Sequence, residues 1–302
     1  MKPVVSVSGL EKSYGDRKAV DGLSFEVEEG EIFGLIGPNG SGKTTTVECV
    51  QGLRKRDKGE ISVLGLDPAY ERSALGPRLG CQLQEAALPD RIKVWEALDL
   101  FAALAPRPHD WRELLEQWGL EQQCNSSFAG LSGGQRQRLF IALAFVNRPE
   151  LVFLDEMTTG LDPSARRETW RLIETIRERG TTVVLVTHFM DEAERLCDRI
   201  GVVLSGRLVA VDTPAELARS HGGETRVRFS HGAGDLDWLY STDGVESVRR
   251  DGPSFEVAGR GPLVVHVAAG LAAHGILPED LSVEQPTLED AFLALTEQEP
   301  EQ

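Results

Sequence analysis

Long apolar runs are missing from this sequence of 302 residues. No stretch approaches the ~20 apolar residues that a membrane-spanning helix needs. Work at a bilayer would therefore require another chain to supply the membrane part. The opening MKPVVSVSGLEKSYGD meets polar and charged residues too early for a signal peptide. Basic charge is also short: 32 Lys and Arg face 48 Asp and Glu, a formal net charge of -16. Gripping a phosphate backbone takes a Lys/Arg surplus, which excludes nucleic acid as the main partner. A single nucleotide is not excluded. Charges beyond about 8 Å are screened at physiological salt, whereas a nest of N–H groups, one lysine and a metal ion act at contact range. The four cysteines, Cys49, Cys81, Cys124 and Cys197, form no CxxC pair. That argues against a zinc site or a disulfide framework and for free thiols in a reducing cytoplasm. His109, His221, His231, His266 and His274 show no metal-like spacing. Repeats and low-complexity tracts are absent too.

What is present is an ordinary globular composition, 41% hydrophobic and 26% charged, enough for a sizeable core. The length suits one large and one small domain. Residues 24–27 and 31–36 read as strands between glycine breaks, and 43–52 as a helix. Val94, Leu98, Phe101 and Ala105 recur at helical spacing, as do Leu114, Leu115 and Trp118, which predicts a helical insertion ending near residue 147. The apolar runs 151–154 and 182–186 read as parallel strands buried on both faces. Between them Asp162 and Pro163 open a helix that Gly180 stops. Residues 200–204 and 207–211 read as a hairpin around Ser205-Gly206, and Thr213 to Glu216 as a capping box. A linker at His221-Gly222-Gly223 then separates a smaller unit. Its order of strands and helices (helices expected at 235–241 and 262–274) suggests a ferredoxin-like fold, closed by an amphipathic helix at 286–296.

Gly37-Pro38-Asn39-Gly40-Ser41-Gly42-Lys43-Thr44 fits G-x-x-x-x-G-K-[ST], placed between a strand and a helix as that motif requires. Glycines let successive N–H groups approach phosphates, and the helix N-terminus favours their charge. Lys43 would neutralise β- and γ-phosphate charge, and Thr44 would ligate Mg²⁺. Asp155 and Glu156 end the strand of residues 151–154, where side chains face the ligand crevice of an open α/β sheet. Asp155 suits the metal shell and Glu156 the polarising of an attacking water. Leu131-Ser132-Gly133-Gly134-Gln135 precedes another helix and forms a second phosphate-binding device. One chain with one nucleotide loop has no evident use for two such devices. A head-to-tail dimer does, with each ATP held by the loop of one subunit and the second device of the other.

With LSGGQ in place, residues 4–219 resemble the ATP-binding cassette family, of which that pentapeptide is the signature. The resemblance implies a P-loop α/β fold: a mixed-sheet core with a helical subdomain at about 86–147, over residues 1–219. A small α+β accessory domain would follow at 224–302. It implies ATP and Mg²⁺ as cofactors, ATP hydrolysis as the activity, and contacts to nucleotide from Gly37 through Thr45. Tyr14 resembles the aromatic residue that stacks on adenine. Gln84 resembles the glutamine that touches Mg²⁺ and senses the membrane partner, with Gln82 as the alternative. Asp162, after Gly160-Leu161, resembles the loop that crosses the dimer interface, a role compatible with capping its helix. His188 resembles the switch histidine on the γ-phosphate. Ser132, Gly133, Gly134 and Gln135 would serve the partner's ATP. Met157 departs from the pattern, since many members carry Pro there, and a local loop difference is expected.

PTLEDAFLALT at 286–296 resembles the extension of drug-exporter cassettes of the daunorubicin-resistance type, which pair with ABC-2-type permeases. The implied protein is an exporter subunit, most simply a homodimer, held at the inner face of the cell membrane through its permease. An importer subunit, a non-transport cassette ATPase and an inactive binding module are the competing expectations. The tail argues against the first. The single cassette and acidic balance argue against the second, and Glu156 with His188 against the third.

Overall fold

A computed structural model describes residues 3–82, 87–178, 180–232 and 236–297. The chain divides into two compact units, Met1–Pro214 and Ala215–Gln302.

The first unit opens with β1 (Val5–Tyr14), β2 (Arg17–Val27) and β3 (Ile32–Ile36), followed by α1 (Lys43–Val50) and β4 (Lys58–Val63). A short α2 (Arg72–Leu75) leads to β5 (Leu79–Gln82). Helices α3 (Val94–Leu104), α4 (Trp111–Gln117) and α5 (Gly133–Phe145) come next. The chain then alternates β6 (Leu151–Asp155), α6 (Pro163–Glu178), β7 (Thr182–Thr187), α7 (Met190–Leu196) and a hairpin of β8 (Arg199–Leu204) and β9 (Arg207–Asp212).

Six strands form the main sheet in the order β5-β6-β7-β3-β8-β9. Neighbours from β5 to β8 run parallel, and β9 returns antiparallel. β3, β6 and β7 are buried at every position, as expected of apolar strands covered on both faces. A second, antiparallel sheet of order β2-β1-β4 packs against the first through one shared core. There Phe25 stacks on Phe33 at 5.3 Å between ring centres. Burying a side chain of this kind contributes about 1.5–3 kcal/mol. The helical stretch has its own anchor in Trp118, fully buried and 5.7 Å from the Phe145 ring.

The sheet register positions the site. Ile36 pairs with Thr187 and Asp155 with Val186. The loops leaving β3, β6 and β7 therefore start side by side at the carboxyl edge of the sheet, where ligands bind in open α/β folds.

The second unit begins at Ala215, within α8 (Pro214–His221). Gly222 ties this helix to the smaller unit: a Cβ there would collide with the Ala218 carbonyl and the Pro286 ring. β10 (Thr225–Ser230), β11 (Val245–Asp251) and β12 (Ser254–Gly259) precede α9 (Leu263–Ala273), β13 (Ser282–Glu284) and α10 (Leu288–Glu297). All neighbours in the sheet β11-β12-β10-β13 are antiparallel, the order of a split β-α-β fold. The helix expected at 235–241 is a 3₁₀ turn over Asp237–Ser241. Gly244, at φ +84°, ends it before β11. Thr287 and Asp290 exchange hydrogen bonds and cap α10.

Candidate functional site

The loop after β3 is built around glycines that tolerate no side chain. A Cβ on Gly37 would collide with the Val203 carbonyl and Ser41 Oγ. Gly42, at φ +102°, would meet the Ala19 carbonyl. Lys43 is buried, and its Nζ donates to the carbonyls of Gly37 (2.7 Å) and Pro38 (3.0 Å). Burial lowers the Lys43 pKa, while the carboxylates of Glu156 and Asp155 oppose that shift. The loop is thus curled around its own cation, with Pro38, Asn39, Gly40 and Thr44 exposed. Asn39, Gly40, Gly42, Lys43, Thr44 and Thr45 line a cavity of about 520 Å³ together with Glu156, Tyr14, Arg17 and Ala19.

Asp155 is buried at the end of β6, and its Oδ1 has no hydrogen-bond partner. Burial raises its pKa to about 6, with Glu156 adding to the shift and Lys43 opposing it. A buried oxygen anion without a donor beside a phosphate loop is the chemistry a hard cation satisfies. Among the described residues no group of three or more His, Cys, Asp and Glu could hold a metal. Within the described residues, such a cation would draw its other ligands from hydroxyls, water or phosphate, the habit of Mg²⁺. Thr44 and Asp155 fit that donor set.

Glu156 sits in left-handed backbone at φ +49°, unusual for a residue with a side chain. Its N–H donates to the Val186 carbonyl at 2.8 Å. The turn brings Glu156 Oε1 within 3.3 Å of His188 Nδ1. Met157, the departure in this loop, is fully buried beneath it.

Tyr14 is half-exposed at the rim of the cavity, with the Arg54 guanidinium 5.1 Å and the Lys12 ammonium 5.8 Å from its ring centre. Arg17 is an addition that sequence reasoning misses. It lines the same cavity and donates to the Gly40 carbonyl at 3.2 Å. No local pattern marks it, because the contact depends on how the β1–β2 turn folds over the loop.

The turn at 132–135 does not line this cavity. Ser132 Oγ accepts from the Gln135 N–H at 3.3 Å, and the Ser132 N–H donates to Gln135 Oε1 at 2.9 Å. This reciprocal cap opens α5. Ser132 and Gly133 are exposed, whereas a Cβ on Gly134 would press on Ala165 at 3.0 Å. Asp162 also lies outside the cavity and caps α6 by accepting from the N–H groups of Ser164 and Ala165. Gln84 lies outside the described residues; Gln82 is buried at the end of β5, level with Leu154.

Residues 20–159 match the family model described as ABC transporter. The chain is 38% identical to daunorubicin resistance ATP-binding protein DrrA3 of Streptomyces coeruleorubidus, covering 97% of this chain and 95% of that one. It is 32% identical to linearmycin resistance ATP-binding protein LnrL of Bacillus subtilis, covering 97% and 98%. Among solved structures, the dimeric post-hydrolysis state of the ATP-binding cassette MJ0796 with ADP and Pi superposes with a TM-score of 0.63. It is 26% identical and covers 69% of this chain and 98% of that one. With the phosphate loop, the acidic strand end and the second glycine turn all in place, the chain belongs to the ABC transporter family, as an ATP-hydrolysing ATP-binding subunit.

Proposed function

We propose that this chain powers export of a drug-like or lipid-like substrate through a separate ABC-2-type permease, working as a dimer that closes on two ATP molecules. The contact between Glu156 and His188 beside Lys43 carries the catalytic assignment. Lys43, released from its own loop carbonyls, meets the phosphates. Glu156 orients the attacking water, and His188 braces the γ-phosphate. Ser132, Gly133, Gly134 and Gln135 of one copy complete the site of the other, which accounts for the exposure of Ser132 and Gly133 on a single chain. Thr44, Asp155 and Gln84 would hold Mg²⁺, which when bound neutralises charge on the β- and γ-phosphates. Tyr14 receives the adenine.

Similarity to DrrA3 over the second unit as well as the first favours export over import. We assign residues 1–219 to the ATPase domain and 224–302 to an accessory domain. Among the described residues no helix is long and apolar enough to cross a membrane. An apolar cavity of about 690 Å³, walled by α3 and α5 residues including Phe101, Leu104 and Phe140, supports docking of a permease segment from the cytoplasmic side.

Phosphate release by the purified chain tests this. Glu156→Gln is expected to lower turnover by about a hundredfold or more, the range of general-base loss. It should keep ATP binding and double the mass in solution when ATP is present. Normal turnover by that variant, or a mass that stays monomeric, would overturn the assignment.

A further inference from the structure

Glu192 lies on α7, four residues after His188, and is fully buried. Its Oε1 accepts from Thr158 Oγ1 at 2.8 Å and from Trp170 Nε1 at 2.9 Å. Its Oε2 is buried with no hydrogen-bond partner. Thr158, itself fully buried, stands two residues after Glu156. Trp170 belongs to α6, the helix that Asp162 opens. One carboxyl group therefore joins three segments: the loop leaving Glu156, the helix after it, and the helix that comes after His188.

A carboxyl group buried in this way costs more than two hydrogen bonds return, and an apolar side chain would fill the volume at less expense. Stability alone gives a poor account of it, whereas position gives a good one. The left-handed backbone of Glu156 is held on one side by Val186. On the other side the Thr159 N–H donates to the Glu156 carbonyl at 3.2 Å, and the bond from Thr158 to Glu192 is a side-chain tie that leads from this turn to α7. A second tie runs beside it. The Arg166 guanidinium of α6 covers the Phe189 ring at 4.2 Å and lies 3.5 Å from Asp191, and Phe189 packs 4.1 Å from His188.

We propose that Glu192 is a positioning residue. Through Thr158 and Trp170 it holds the loop after Glu156 against the helix after His188, so that the two side chains meet when ATP is bound. The rate of hydrolysis depends on this tie, and nucleotide affinity does not. The proposal rests on Glu156 and His188 being the groups that act on ATP.

Thr158→Val keeps the shape and removes the hydroxyl. On the full chain it is expected to lower kcat about threefold to tenfold with KM for ATP unchanged, the rate equivalent of one lost hydrogen bond. Thr158→Ser should restore the rate. Glu192→Gln, which keeps an acceptor oxygen, should lose less than Glu192→Leu, and the summed tryptophan emission should shift in the Leu variant alone. Wild-type kcat in Thr158→Val overturns the proposal. So does a loss of kcat that tracks the melting temperature across the series without rescue by serine. Glu156→Gln run in parallel separates the two ideas: if it still turns over, the catalytic assignment itself has failed.

Discussion

Two glycine-rich turns open helices in the first unit, and they are built in opposite ways. The turn at 37–42 exposes Pro38, Asn39 and Gly40 but curls round the buried Lys43, and two buried polar atoms, Ser41 Oγ and Asp155 Oδ1, have no partner. The turn at 132–135 is exposed and satisfies itself through a reciprocal cap. A pocket built to take up a charged ligand leaves buried polar groups of its own to be satisfied by that ligand. A device meant for another copy must stay folded alone, and here the N–H groups of Ser132 and Gln135 are paired within the turn. The difference matches a division of labour in which the first turn grips nucleotide and the second arrives later, on a partner.

The strongest way to break that comparison is to remove the cation of the first turn. Lys43→Ala takes away both the charge meeting the phosphates and the two bonds that curl the loop. Turnover is expected to fall about a hundredfold to a thousandfold, the cost of losing a principal electrostatic donor. ATP binding, measured by calorimetry, should weaken with it. Retained affinity would show that the backbone N–H groups of the loop grip the phosphates without the lysine or the curl it imposes.

How much of the fold and the site is legible in the sequence depends on the range of the interactions. The phosphate loop is contiguous, so eight neighbouring residues announce it. β6 and β7 are unbroken apolar runs and announce themselves too. β1 and β2 are harder to see, since their pairing slips at Gly9 and Gly22, both in left-handed backbone. β5 has only four residues, too few for a pattern. Arg17 joins the site by a contact 23 positions away in sequence, and Glu192 meets Trp170 and Thr158 across 22 and 34. Tyr14 and His188 carry no local signature; family resemblance alone singles them out. The structure places both at the same edge of the fold, His188 beside Glu156 and Tyr14 on the cavity rim.

A second test sharpens the contrast by titration. The Asp155 pKa is raised by burial from 3.8 to about 6, so the folded chain holds this proton more tightly than the unfolded one. Its contribution to stability is fully present below pH 3.8 and is lost as pH rises through about 6. The loss amounts to roughly 3 kcal/mol in the absence of nucleotide and metal. Asp155→Asn removes the titration while keeping the shape. Melting curves from about pH 4 to about pH 8 should show the variant gaining on the wild type as pH rises. Parallel curves would mean that the carboxylate is already compensated and the site is not waiting for a cation.

The smallest effect on the isolated chain belongs to the exposed turn, and it separates the two jobs of Ser132. Ser132→Ala loses the cap and should cost about 1 kcal/mol of stability. Ser132→Asp keeps a capping oxygen and adds a negative charge that the α5 N-terminus accommodates, so its melting temperature should stay near that of the wild type. The added charge would face the γ-phosphate of a partner's ATP, where it repels. Ser132→Asp in a Glu156→Gln background should therefore bind ATP as one chain yet fail to form the ATP-bound dimer in light scattering. If the dimer forms regardless, the exposed turn is a helix cap and nothing more, and the two turns differ in packing alone.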